Sequence, residues 1–289
     1  MGLKIETWSI AYRPKRDGLI MSDCSGFKII KNGHKGWYAD PFVFDYKGET
    51  YLFAEFFSYS LRRGVLVVSL YDKKTERFGK FKEIIREDYH LSYPFIFQGG
   101  DDEIYILPES NECQQLYLYK ASAFPDKWEK HKVLQDNVKM VDTTPFLFQD
   151  KPYAFSLELS DVEDEQFVLL EIDPYDYTIG EQRRFRADMS TDRPGGRVFQ
   201  LNGEYYFVSQ DCQESYGKAL NIFKFQIKEN GIVDRLLVKK ICPDNISGYN
   251  FQTPFGIHTY NFCNNIEVID LKYYKKSYYR IIKRMLSRK

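Results

Sequence analysis

One pattern recurs five times along this chain of 289 residues. Each copy opens on a proline, usually followed by Phe. An apolar strand, a Gly or charged turn and a Tyr-rich strand come next. The copies begin at Asp40-Pro41-Phe42, Tyr93-Pro94-Phe95, Thr144-Pro145-Phe146, Arg193-Pro194 (with Gly in place of the aromatic) and Thr253-Pro254-Phe255. Their prolines stand 53, 51, 49 and 60 residues apart. A period near 50 with about four strands per unit is the signature of a β-propeller. Further strand candidates follow at 65–71, 115–121, 167–173 and 220–227, with more polar outer strands such as 81–85 and 235–241. The fifth unit supplies only two strands. The N-terminal segments 7–13 and 26–30 complete it and leave the ring without an open edge. An aromatic share of 17% suits strands. The expected fold is therefore all-β: a five-bladed propeller over residues 1–271, closed by N-terminal strands. A sandwich with coincidental spacing is the alternative.

Charge divides the chain in two. Residues 272–289 carry eight Lys or Arg and no acid, leaving 33 basic against 41 acidic residues before them. Tyr274, Tyr278, Ile281, Ile282 and Met285 recur at helical spacing, so 272–289 reads as a short basic amphipathic helix. Such an element suits an anionic membrane surface or a protein partner. Net charge of zero argues against a nucleic-acid binder. No run of 18 apolar residues and no signal-like N-terminus appear, and the five Cys form no CxxC pair. A cytoplasmic protein with reduced thiols is expected, one that the basic tail could hold on the inner face of a membrane. Four scattered His and a hairpin-like Asp101-Asp102 give no metal spacing, so neither metal nor cofactor is expected.

Propeller topology brings two rows of side chains to one mouth. The first precedes the innermost strands: Trp37, Tyr38 and Asp40; Ser92 and Tyr93; Asp142 and Thr143; Asp192 and Arg193; then Gln252 and His258. The second ends the second strands: Glu55, Glu109, Glu158, Gln210 with Asp211, and Asp270. These groups bind polyols and move protons, whereas strand ends usually take Gly, Asn and Ser.

Residues 39–53 (ADPFVF…GETYLF) resemble the blade motif of glycoside hydrolase family 43. More closely, WYADPFVF (37–44), LSYPFIF…IYILPES (91–110), FPDKWE (124–129), VDTTPFLF (141–148), RPGGRVFQLNGEYYFVSQDC…YGKAL (193–220) and GIHTYN…EVIDL (256–271) resemble the N-terminal domain of glucosamine inositolphosphorylceramide transferases, in a bacterial stand-alone form. The hydrolase likeness implies an aspartate base at Asp40 and a second aspartate at Asp142. The glutamic acid proton donor that opens the fourth unit is replaced by Arg193-Pro194. A guanidinium cannot protonate a leaving alkoxide, but it stabilises a leaving phosphate. Acid catalysis would then fall to Glu109 or Glu158.

The expected function is sugar transfer from a diphosphate-linked donor to a glycan acceptor in surface-polysaccharide or glycolipid assembly. Asp40, Asp142, Glu109 and Arg193 are the candidate catalytic groups. Trp37, Tyr93, Glu55, Glu158, Arg197, Gln210, Tyr216 and His258 are the candidate sugar contacts. The alternatives are a non-catalytic glycan-binding propeller beside a partner glycosyltransferase, and a family-43-like glycosidase.

Overall fold

A computed structural model describes residues 3–249 and 253–277. Five sheets, antiparallel except where Phe27–Ile29 pairs in parallel with Gly248–Tyr249, make a five-bladed propeller. Blade one runs outward through Gly36–Tyr46, Glu49–Ser58 and Arg63–Asp72 to the short Arg77–Phe78 and Lys82–Ile85. Blade two orders Ser92–Gln98, Ile104–Glu109, Gln115–Ala123 and Lys127–Asp136; blade three orders Met140–Phe148, Lys151–Glu158, Gln166–Ile172 and Ile179–Arg186. In blade four the innermost strand is split into Arg193–Pro194 and Phe199–Leu201. It lies beside Glu204–Asp211, Ala219–Ile227 and Val233–Ile241.

The fifth blade closes the ring with both ends of the chain. Its order from the axis is Tyr260–Phe262, Ile266–Ser277, Leu3–Pro14 and Phe27–Ile29, with Gly248–Tyr249 at the rim. Leu3–Pro14 and Ile266–Ser277 pair along their whole length, from Leu3 opposite Ser277 to Pro14 opposite Ile266. This is the closure expected from the missing strands.

The expected helix is not formed where its first residues are described. Lys272 to Ser277 continue the closing strand. On this strand Leu271 and Tyr273 are buried, while Lys272 turns to Glu6, 2.8 Å away, and lies 5.6 Å from the Trp8 ring centre. A full-length partner strand pairs with it residue by residue, and that outweighs a helical pattern of tyrosines. Residues 278–289 of the expected helix, and Gln252, lie outside the described residues.

Between blades the core is largely aromatic. Phe146, Phe155, Phe167, Phe207 and Phe225 form one cluster, and Phe42, Phe53, Tyr93 and Phe95 belong to another. A buried Arg13–Glu267 pair at 3.0 Å, held further by Tyr260 Oη at 2.8 Å, pins the closing blade. Among the described residues no helix is long and apolar enough to cross a membrane, and the five Cys are unpaired.

Candidate active site

Three innermost strands lose register at the same place. In blade one Ala39 pairs with Glu55 and Phe42 with Phe53, so Asp40 and Pro41 bulge. In blade two Tyr93 and Pro94 bulge between the Ser92–Glu109 and Phe95–Leu107 pairs. In blade three Asp142 and Thr143 bulge between Val141–Leu157 and Thr144–Phe155. Asp142 is thus the counterpart of Asp40. Thr143 takes the place of Pro41, and Pro145 lies two residues further along the strand. The first bulged residues are left-handed, with φ of +48° at Asp40, +44° at Tyr93 and +52° at Asp142. None is glycine, so each costs about 1–2 kcal/mol, and such strain persists where surrounding contacts over-determine it.

Those contacts are dense around Asp40. Its Oδ1 accepts the Thr259 hydroxyl at 2.8 Å and its Oδ2 accepts the Tyr93 N–H at 3.1 Å. Its own N–H donates to Asp270 Oδ2 at 2.9 Å. Asp270 also accepts the N–H groups of His258 and Thr259, at 3.1 and 3.0 Å, and stands 2.7 Å from His258 Nδ1. His258 Nε2 then faces Asp40 Oδ1 at 3.7 Å. Trp8 stacks flat on the His258 ring at 3.8 Å, and Tyr216 meets its edge at 5.2 Å. Burial raises the Asp40 carboxyl to about 6; His258 opposes that rise, while Asp270 and Asp142 add to it. Burial alone would lower His258, but Asp270 and Asp40 outweigh it and the net direction is up.

The facing side of the mouth is built on a guanidinium. Arg193 Nε donates to Asp142 Oδ2 at 2.7 Å and Nη2 to Glu109 Oε2 at 3.4 Å. Gln210 Nε2 donates to the same Asp142 oxygen and to the Pro194 carbonyl, each at 2.7 Å. Asn111 holds the other Glu109 oxygen at 2.7 Å, and the Arg193 guanidinium lies 4.9 Å from the Tyr216 ring centre. Burial and the nearby Asp142 push Glu109 well above the usual carboxyl range, against the pull of Arg193. Glu55, also buried, is pushed well up by burial and then by Asp40. Its Oε1 has no well-directed hydrogen bond, although His90 Nε2 stands 3.4 Å away.

Most of the expected residues therefore meet: Asp40, Glu55, Glu109, Asp142, Arg193, Gln210, Tyr216 and His258 line one mouth. Tyr93 joins through its backbone, while its ring lies in the core and its hydroxyl meets Thr144 at 2.8 Å. Trp37 is half-buried beside the mouth and stacks on Phe57 at 4.8 Å. Two residues do not join. The blade-three counterpart of Glu55 and Glu109 is Leu157. Glu158 lies one residue further, alternation turns it to the other face, and it pairs there with Arg184 at 2.8 Å. Arg197 sits deeper in the channel, bonded to the Ile96 carbonyl.

Thr259, Asp270, Trp8, Asn111 and His90 complete the site. Asp270 already stands among the strand-end acids in the sequence; the others carry no local signal, because distant segments bring them in. Asp40, His258 and Asp270 each offer one ligand atom within 4.8 Å of the others, near enough for a cation. Asp270, however, is taken up by three backbone N–H groups and His258, so the trio is built first as a hydrogen-bonded relay.

The family model described as "Glucosamine inositolphosphorylceramide transferase 1, N-terminal" matches residues 24–242. Over 195 residues the chain is 30% identical to a glucosamine inositolphosphorylceramide transferase 1 of Oryza sativa subsp. indica, covering 65% of this chain and 26% of that protein. The Arabidopsis thaliana protein of the same name is 30% identical over 196 residues, covering 65% and 25%. The chain thus spans about a quarter of the curated relatives it matches. Among solved structures, the catalytic domain of the Coprinopsis cinerea GH62 α-L-arabinofuranosidase superposes with a TM-score of 0.62 at 11% identity, over 91% of this chain and 97% of that one. A thermostable family-43 glycoside hydrolase gives 0.57 at 14% identity, over 83% and 89%. At such identities the likeness establishes the fold alone.

Proposed function

The chain belongs to the glucosamine inositolphosphorylceramide transferase N-terminal family, and from that premise we propose that it transfers a sugar from a diphosphate-linked donor to a glycan or glycolipid acceptor. The observation that carries the reading is that one mouth holds a buried carboxylate, Asp40, aimed by Thr259 and Tyr93, and a guanidinium, Arg193, fixed by Asp142 and Glu109. Burial pushes the Asp40 carboxyl up to about 6, and pushes Glu55 and Glu109 well above the usual carboxyl range. A carboxyl poised near neutrality in this way is suited to the role of general base. Asp40 takes the proton of the acceptor hydroxyl as that oxygen bonds to the anomeric carbon, and Thr259 and Tyr93 aim its carboxylate. The bond from the anomeric carbon to the donor phosphate breaks, and the diphosphate leaves as an anion that needs no proton. Arg193, fixed by Asp142 and Glu109, retains further N–H donors for that charge.

A panel of nucleotide sugars with a polyprenyl-phosphate or glycolipid acceptor tests this. Acceptor-dependent nucleotide release should fall at least a hundredfold in both Asp40→Asn and Arg193→Ala. Hydrolysis of aryl furanosides that survives Arg193→Ala, with no nucleotide release, would replace transfer by glycosidase chemistry. A second reading, a glycan-binding propeller beside a separate transferase, is favoured by the quarter-length match to the relatives. It predicts saturable glycan binding that survives Asp40→Asn. We further propose a cytosolic site of action, with the basic stretch toward Lys289 facing an anionic membrane. Lys272 takes no part, being buried on Glu6. Sedimentation with anionic vesicles checks that attachment.

A further inference from the structure

The end of the propeller opposite the mouth carries a second cavity, of about 410 Å³. It runs from the axis outward between blades two and three, under the turns at Gln98–Gly100 and Asp173–Pro174. Its walls are apolar: Phe95, Phe97, Phe146, Leu147 and Tyr177 face it. At its axial end stands Arg197, on the innermost strand region of blade four. Its guanidinium reaches across to the Ile96 carbonyl and lies 4.6 Å from the Phe95 ring centre and 5.5 Å from that of Phe42. Among the described residues no carboxylate stands within ion-pair distance of it, although most other arginines here have one. Burial lowers its pKa to about 10, so it keeps its charge at neutral pH. Asp173, the carboxylate in the cavity lining, uses Oδ1 to cap its own turn through the Tyr175 and Asp176 N–H groups, at 2.8 and 3.1 Å.

A half-buried cation between aromatic rings, without a counter-charge, is better satisfied once an anion enters the cavity beside it. Carbonyl and ring contacts answer part of that need and leave several N–H donors. We propose that this cavity binds a single-chain anionic amphiphile, its carboxylate or phosphate monoester head on Arg197 and its apolar chain along Phe97, Phe146 and Leu147. The cavity volume falls in the range of small-molecule sites. This proposal is independent of the reaction at the mouth.

Titration calorimetry with decanoate, decyl phosphate and uncharged decanol, each below its aggregation limit, tests it. Wild type should bind an anion at least tenfold more tightly than decanol. The preferred head then separates a carboxylate from a phosphate source. Arg197→Gln should reduce the anion to the level of decanol. Leu147→Glu, at a position 60% exposed on the rim, should weaken the anions without touching the fold. Absence of saturable binding by either anion overturns the proposal. So does equal affinity for anions and decanol, or binding that survives both substitutions. If Arg197→Gln does not fold, Leu147→Glu decides alone.

Discussion

Arg193 and Arg197 stand four residues apart at the start of the fourth blade, yet their surroundings are opposite. Arg193 is gripped by Asp142 and Glu109 at the acid-rich mouth. Arg197 touches two phenylalanine rings and one carbonyl in the channel. At Arg193 the neighbouring carboxylates overcome the effect of burial and push the pKa well up; at Arg197 burial prevails and pushes it down. The lesson is that burial alone does not fix what an arginine does. One is part of a charge lattice that would be strained without it. The other is a cation whose partner the chain does not supply.

Thermal and denaturant unfolding can break that contrast. Arg193→Met removes the cation from two buried carboxyl groups and should cost about 3–5 kcal/mol at neutral pH. Asp40 sharpens the acid-rich side. Its folded pKa of about 6 lies above its ordinary 3.8, so the native state binds the extra proton between those values. Its contribution is therefore complete below pH 4 and is lost as pH rises through 6, a swing on the order of 3 kcal/mol. Asp40→Asn should accordingly gain stability over wild type at pH 7.5 and show little difference at pH 4. An unchanged pH profile in the variant would refute the raised carboxyl. Adding Glu109→Gln to Arg193→Met should recover about 1–2 kcal/mol, because one of the stranded acids is gone. The smallest effect is expected at Arg197→Met: within about 1 kcal/mol of wild type, since an unpaired, half-buried charge gives way to an apolar side chain. A loss as large as that at Arg193 would show the two arginines to be equivalent.

The propeller is legible in the sequence because each blade repeats the same strand problem with its own copy of the pattern. Blade closure is legible too, since the fifth unit lacks strands that only the N-terminus can give. The site is legible as far as strand ends are. Asp40, Glu55, Glu109, Asp142, Arg193 and Gln210 follow from position along a strand. Glu158 shows where this fails: one residue of bulge register turns a side chain to the other face, and the proline pattern conceals the shift in blade three. Trp8 and Thr259 are invisible to spacing, because the ring must close before they approach Asp40. The strand at 272–277 was hidden for the same reason, its partner being at the far end of the chain.

The closing blade also imposes an order of events. Thr259 and Asp270 reach Asp40 from 219 and 230 positions further along the chain. Four blades can assemble as the chain emerges from the ribosome, but the N-terminal strand must wait for residues 266–277 before it finds its partner. Until then Asp40 lacks the carboxylate that fixes its backbone and the hydroxyl that aims its oxygen. A nascent chain thus carries Asp40, Glu55, Glu109 and Asp142 without a working arrangement of them until residues 259–277 have been made.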